Sequence, residues 1–131
     1  MRRDEGGASL VEFVLTLGVV CLLLFALVEL GFMLNAKLVM VSAAREGARR
    51  AAVEGGATGQ VLERIEHQLR MGRIDPRHVR VDITPRTASY GTSIRVKLEY
   101  PYRLMIPMVR ALVGEEVPIG AEMISRSEKV R

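Results

Sequence analysis

Residues 8–34, ASLVEFVLTLGVVCLLLFALVELGFML, decide the fold. Apart from Glu12 and Glu29 the run is uncharged and almost wholly apolar. It exceeds the ~20 residues with which a helix crosses a bilayer, and it is too long for the apolar core of a secretory signal, about 7–15 residues. It contains no proline, so nothing stops the helix at the membrane edge. Working outward, residues 35–54, NAKLVMVSAAREGARRAAVE, are rich in helix formers and also lack proline. Glu46 and Arg50 stand at i,i+4 in the favourable order. Gly55 and Gly56 then provide a stop. The spacing predicts one helix of about 45 residues, ~70 Å long, starting near Ala8. Its first half belongs in lipid and its second half in water.

The rest of the 131-residue chain is ordinary and charged. Past Glu54 it leaves roughly 75–80 residues, a small head whose modest core needs a partner element. Thr58 is a candidate N-cap for a second helix with Val61, Leu62, Ile65 and Leu69 on one face and Gly72 after its last turn. Val79, Val81 and Ile83 alternate with polar residues, as do Ile94, Val96, Leu98 and Tyr100, and the proline and glycine of PRTASYG, residues 85–91, mark a turn between them. Residues 104–113, LMIPMVRALV, read as a short apolar helix or loop, and Val117, Ile119, Ala121 and Met123 as a third strand. Three antiparallel strands cannot bury both faces alone, so residues 36–54 of the long helix are the expected cover. The expected organisation is α+β: residues 1–7 a leader, 8–34 a transmembrane helix, 35–56 its extramembrane continuation, and 57–131 the head with its small antiparallel sheet of about three strands.

Composition narrows the function. The single cysteine, Cys21, excludes an intrachain disulfide. The net charge of +4 is spread among acidic residues without aromatic interleaving, which argues against nucleic acid as a partner. His67 and His78 lack a ligand cluster at metal spacing. Asp75, His78 and Ser89 make a triad only on paper. No nucleophile–base pair or phosphate loop stands out, so the chain reads as non-enzymatic, with no cofactor and no small-molecule substrate. Cys21 also permits a lipoprotein signal, but Val20 stands where a small residue is wanted and the apolar run continues beyond. It reads better as a small hydrophobe in the helix.

Two motifs carry more. In GGASLVEF, residues 6–13, glycine precedes a helix whose first half is apolar except for Glu12. A carboxylate in a membrane span costs about 2.5–3.5 kcal/mol at the helix centre and less near an edge, so such a residue usually has a reason. In AAREGARRAA, residues 43–52, Ala43, Gly47 and Ala51 form one ridge of small residues and Ala44, Ala48 and Ala52 another. Such ridges admit a close backbone, either this chain's own sheet or another subunit's helix. Glu29 is a further intramembrane carboxylate. The charge-free run of residues 13–28 is about sixteen residues, ~24 Å of helix, against a hydrocarbon thickness of ~30 Å. Glu29 is therefore expected at the outer interface, either functional or simply reaching water.

The GGASLVEF start resembles a type IV prepilin cleavage site, and Phe13 after Glu12 resembles the Flp and Tad branch. With GVVCLLLFALVELGF, the AAREGAR segment and the later strand pattern, most of the chain resembles the TadE-like pseudopilins of the tight-adherence system. The resemblance implies a pilin-like fold. It implies cleavage between Gly7 and Ala8 by a prepilin peptidase, and pairing of Glu12 with a neighbour's new amine, beside Phe13. Glu29 also fits the family pattern. The implied partners are the peptidase, other pilin or pseudopilin subunits, the inner-membrane assembly machinery and membrane lipid. The implied role is that of a minor pilin in pilus assembly, secretion and cell adhesion, with a single-pass inner-membrane location and an extracytoplasmic head. The basic residues do not orient the span: Arg2 and Arg3 precede it, and Lys37, Arg45, Arg49 and Arg50 follow. The orientation comes from the resemblance. The alternative is an unprocessed bitopic scaffold of a secretion complex, in which Glu12 only marks the membrane edge.

Overall fold

A computed structural model describes residues 3–130; Met1 and Arg2 of the expected leader lie outside the described residues. The dominant element is α1, Arg3–Glu54, 52 residues and ~78 Å long. It starts before Ala8, the expected first residue of the helix, and runs unbroken through Gly6 and Gly7. Glycine lowers helix propensity by about 1 kcal/mol but does not break a helix as proline does. The helix ends at Glu54, where Gly55 (φ 78°) and Gly56 (φ 136°) adopt backbone conformations that suit glycine. A Cβ on Gly56 would collide with the Arg86 carbonyl.

Helix α2, Gly59–Met71, is capped by Thr58, whose side chain accepts from the Val61 amide. Val61, Ile65 and Leu69 are its buried stripe. Leu62, expected on the same face, is 42% exposed, because the i, i+4 repeat leaves it one position round the helix. A 3₁₀ turn, Pro76–His78, leads into β1, Arg80–Thr84, and then come β2, Ser93–Arg103, α3, Pro107–Val113, and β3, Glu116–Arg126. The sheet is antiparallel in the order β1-β2-β3. Its register sets Ile83 opposite Val96 and Leu98 opposite Ala121, on the face turned to the core. Strand β2 passes the alternating run that ended at Tyr100. Its Pro101 pairs with Pro118 of β3, whereas β1 has already ended opposite Glu99. Proline is tolerated there because no strand needs its missing N–H on that side.

The second half of α1, α2 and the sheet share one core. They meet at Gly47, where a Cβ would lie 2.6 Å from the Ile65 side chain and 3.6 Å from Val96. Alanines on α1 are buried along this contact, and Met40 is fully buried at its centre. The sheet also bonds to the helix backbone: the Ser125 hydroxyl donates to the Ala48 carbonyl at 2.7 Å, and the Glu128 amide to Ala52 at 2.8 Å. The molecule is therefore α+β, a long N-terminal helix packed on a three-stranded antiparallel sheet.

Candidate functional site

The N-terminal half of α1 is bare. From Glu5 to Val20 every side chain is exposed, Phe13 at 64%, and an 18-residue window of this helix has mean hydropathy 2.7 with none of it buried. A helix of this length and apolarity is compatible with a single-pass membrane protein. Gly7, Ala8, Glu12 and Phe13 all lie on this bare rod. The Glu12 carboxylate has no ion-pair or hydrogen-bond partner among the described residues; only its backbone carbonyl is engaged, by the Thr16 hydroxyl at 2.8 Å. A Cβ added at Gly6 or Gly7 would meet nothing within 4 Å. Packing within the subunit therefore does not require glycine there, in contrast with Gly47 and Gly56.

Glu29 is different. It is 1% exposed, so of its two expected readings the one in which it simply reaches water does not hold. The end of β2 and the turn into α3 fold down over it. The Tyr102 hydroxyl donates to Oε1 at 2.9 Å. The Met105 amide donates to both oxygens, at 3.0 and 3.1 Å, and the Ile106 amide to Oε2 at 2.8 Å. Pro107 opens α3 immediately afterwards, and no helical carbonyl takes the amides just before it, so the carboxylate serves as their acceptor. Burial first, and then Glu29, pushes the Tyr102 hydroxyl above its ordinary value of 10.0. The hydroxyl therefore stays protonated and donating throughout the physiological range. Arg110 lies near enough for its charge to act on Glu29, but its Nε and Nη2 donate to the Leu104 carbonyl at 3.2 and 2.9 Å, closing the same turn. The buried carboxylate thus fastens the end of β2 and the start of α3 to α1.

The two small ridges are also occupied within the subunit. Ala43, Ala44, Gly47, Ala48, Ala51 and Ala52 are all buried against α2 and the sheet, and Ala48 and Ala52 also line an open cleft between α1 and β3. Glu46 beside them joins α1 to α2: Arg64 Nε donates to Oε1 at 3.0 Å, and Arg49 Nη2 reaches the same oxygen at 3.3 Å. Tyr102, the paired amides of residues 105 and 106, and Arg110 were not anticipated. The available signals were a tyrosine one strand step past Tyr100, two amides preceding a proline, and one arginine in an apolar run. His67 and His78 are exposed, and no trio of histidine, cysteine or acidic side chains is gathered for a metal among the described residues. Asp75 is bound by Arg77 at 3.0 Å, while Ser89 lies in the segment crossing the end of α1.

A bare apolar helix continuous with a small α+β head is an arrangement compatible with a single-pass membrane protein. The model of the family described as TadE-like protein matches residues 7–49, in agreement with the sequence resemblance. The match covers Gly7, Glu12, Glu29 and the first small residues of both ridges, and ends before the sheet. The likeness therefore covers residues 7–49 and leaves the rest of the head unmatched. No curated protein and no solved structure matches the chain.

Proposed function

We propose that the chain is a minor pilin or pseudopilin of a Tad-type pilus or secretion system, contributing to pilus assembly and adhesion. Residues 1–7 face the cytoplasm and are removed by a prepilin peptidase between Gly7 and Ala8. Residues 8–34 lie in the inner membrane, 35–56 continue the rod, and 57–131 form an extracytoplasmic head that can enter a filament. The partners are the peptidase, other pilin subunits, the inner-membrane assembly machinery and lipid.

The exposed carboxylate of Glu12 carries this reading. Val11 and Phe13 beside it are apolar, and among the described residues no cation meets it. An unpaired carboxylate in an apolar setting is strongly destabilised, so a cation from another subunit gives it a role. The freed amine of a processed neighbour supplies that charge. Gly6 and Gly7 support the reading, since they lower helix propensity without relieving any contact.

Glu12→Gln keeps the size and one acceptor but removes the charge. With the peptidase present, it is expected to insert and to be cut before Ala8 like the wild type, while its content in sheared filaments falls sharply. Glu12→Leu is expected to insert at least as well and to fail in the same way. N-terminal sequencing of membrane and filament fractions reads both effects. Normal filament content in both variants would overturn the pilin role in favour of an unprocessed scaffold, and an intact leader on wild-type protein would remove the cleavage.

A further inference from the structure

We propose that α3 is a membrane foot: its outer face enters the outer interface of the same bilayer that α1 spans. The inference rests on the membrane anchorage proposed above and concerns a second element, in the head, that touches lipid. Four large apolar side chains in and just before α3 point away from the core: Met105 is 63% exposed, Met108 48%, Leu112 70% and Val113 64%. The inner side is secured by Leu104 and Val109, which are buried. Residues 104–113 contain one charged side chain, Arg110, and its guanidinium is folded back on the Leu104 carbonyl. The outer face therefore offers water no charged group across its whole length.

Its height on the anchor follows from Glu29. Counting ~20 residues of hydrocarbon-spanning helix from Phe13 puts the outer boundary near residue 32, so Glu29 lies just inside it. The amides of Met105 and Ile106 are hydrogen-bonded to that carboxylate, which brings the start of α3 to the same level. A carboxylate tolerates this depth because the turn surrounds it with donors. Helix α3 packs against α1. Cys21 and Leu22, the half-buried positions on α1 below Glu29, lie two turns down on the same face. The exposed Leu30, Phe32 and Leu34 of α1 continue the apolar belt. Arg103 precedes the foot and Glu115 and Glu116 follow it, all exposed, so both ends return to water. A short apolar helix flanked in this way suits burial about 5–10 Å into the headgroup and acyl boundary. Its continuity with the anchor identifies lipid, rather than a second copy of the chain, as the occupant.

The chain has no tryptophan, so single indoles report cleanly. Full-length Leu112→Trp and, separately, Val113→Trp are reconstituted into phosphatidylethanolamine–phosphatidylglycerol vesicles whose acyl chains are brominated near the carbonyl end or near the methyl end. Leu23→Trp on the bare rod and Ile124→Trp on the exposed sheet serve as references. The foot predicts blue-shifted emission at positions 112 and 113, most of it lost to the shallow bromines and little to the deep ones, unchanged as protein is diluted in lipid. Position 23 is quenched by bromines within the bilayer and position 124 by neither set. If position 23 is quenched while positions 112 and 113 behave like 124, the foot is wrong and the anchor stands. If position 23 escapes quenching, the anchorage itself fails. Blue-shifted emission at 112 and 113 that ignores bromine, or that reddens on dilution in lipid, would overturn the proposal and assign the face to a second copy.

Discussion

Replacing Glu29 by alanine strips one buried and two partly buried donors of their acceptor: the Tyr102 hydroxyl and the amides of Met105 and Ile106. A buried donor left unsatisfied costs about 1–3 kcal/mol, and the three do not add fully, because the turn opens once its bonds are gone. A net loss of about 3 kcal/mol is expected, on the order of 10 °C in the unfolding midpoint. Glu29→Gln preserves the shape and one acceptor oxygen but turns an amide N–H₂ toward a donor, so about 1–2 kcal/mol is expected. Leucine is the informative third variant. If Glu29 merely met water at the membrane edge, leucine would be neutral or stabilising, since it removes a charge from an apolar span. The cage requires it to destabilise nearly as much as alanine. Thermal unfolding of the three variants in detergent micelles, followed by circular dichroism, gives the order.

Among the elements, the junction of α1 and α2 depends on Glu46, which is mostly buried and bonded to Arg64 and Arg49. The hydrogen bond from Arg64 first, and then that from Arg49, holds its carboxyl below the ordinary 4.5. A carboxyl whose folded value is depressed contributes stability that is fully present above its unfolded value and is lost as pH falls through the folded one. The helix pair is therefore expected to weaken on acidification below about pH 4.5, and Glu46→Gln should flatten that part of the curve while lowering stability at neutral pH. Denaturant midpoints measured from pH 3 to 7 check this. The elements themselves were largely legible. Thr58 with its i, i+4 stripe announced α2, and period-two alternation announced all three strands. The extension of β2 to Arg103 was hidden by Pro101, which reads as a breaker until β1 is seen to stop first. The start of α1 at Arg3 was hidden by two glycines that weaken a helix without ending it. Gly7, Ala8, Glu12 and Phe13 were readable as a pattern because they are adjacent in sequence. The Glu29 cage was not, because its donors lie more than seventy residues away and only the fold brings them together.

At the scale of the whole molecule, the helix and the head are one object, and the place where the chain is cut shows where that object begins. The alternation of the strands suggested that residues 36–54 alone cover the sheet, so a fragment starting at residue 35 would be complete. The structure begins the contact earlier: Glu29 is sealed beneath the turn, and Met33 packs against the core before Ala36 does. A fragment of residues 35–131 should keep α2, the sheet and the buried alanines, because those contacts start at Ala36. It should lose the acceptor for Met105 and Ile106 and release α3. A fragment of residues 25–131 keeps the cage. Hydrogen exchange in mild detergent separates the two: the amides of residues 105 and 106 are expected to be protected in the longer fragment and to exchange freely in the shorter, while the β2–β3 ladder stays protected in both. A fragment starting at residue 55 removes the lid altogether, leaving Ile94, Val96 and Leu98 facing solvent, and should aggregate. Equal protection of residues 105 and 106 in the two longer fragments would mean that the turn holds itself and that Glu29 is only a passenger. Selective loss means that the head takes its lowest structural support from a residue inside the anchor. Bending or drawing on the anchor, as extraction from a membrane would do, then acts on the head directly through that carboxylate.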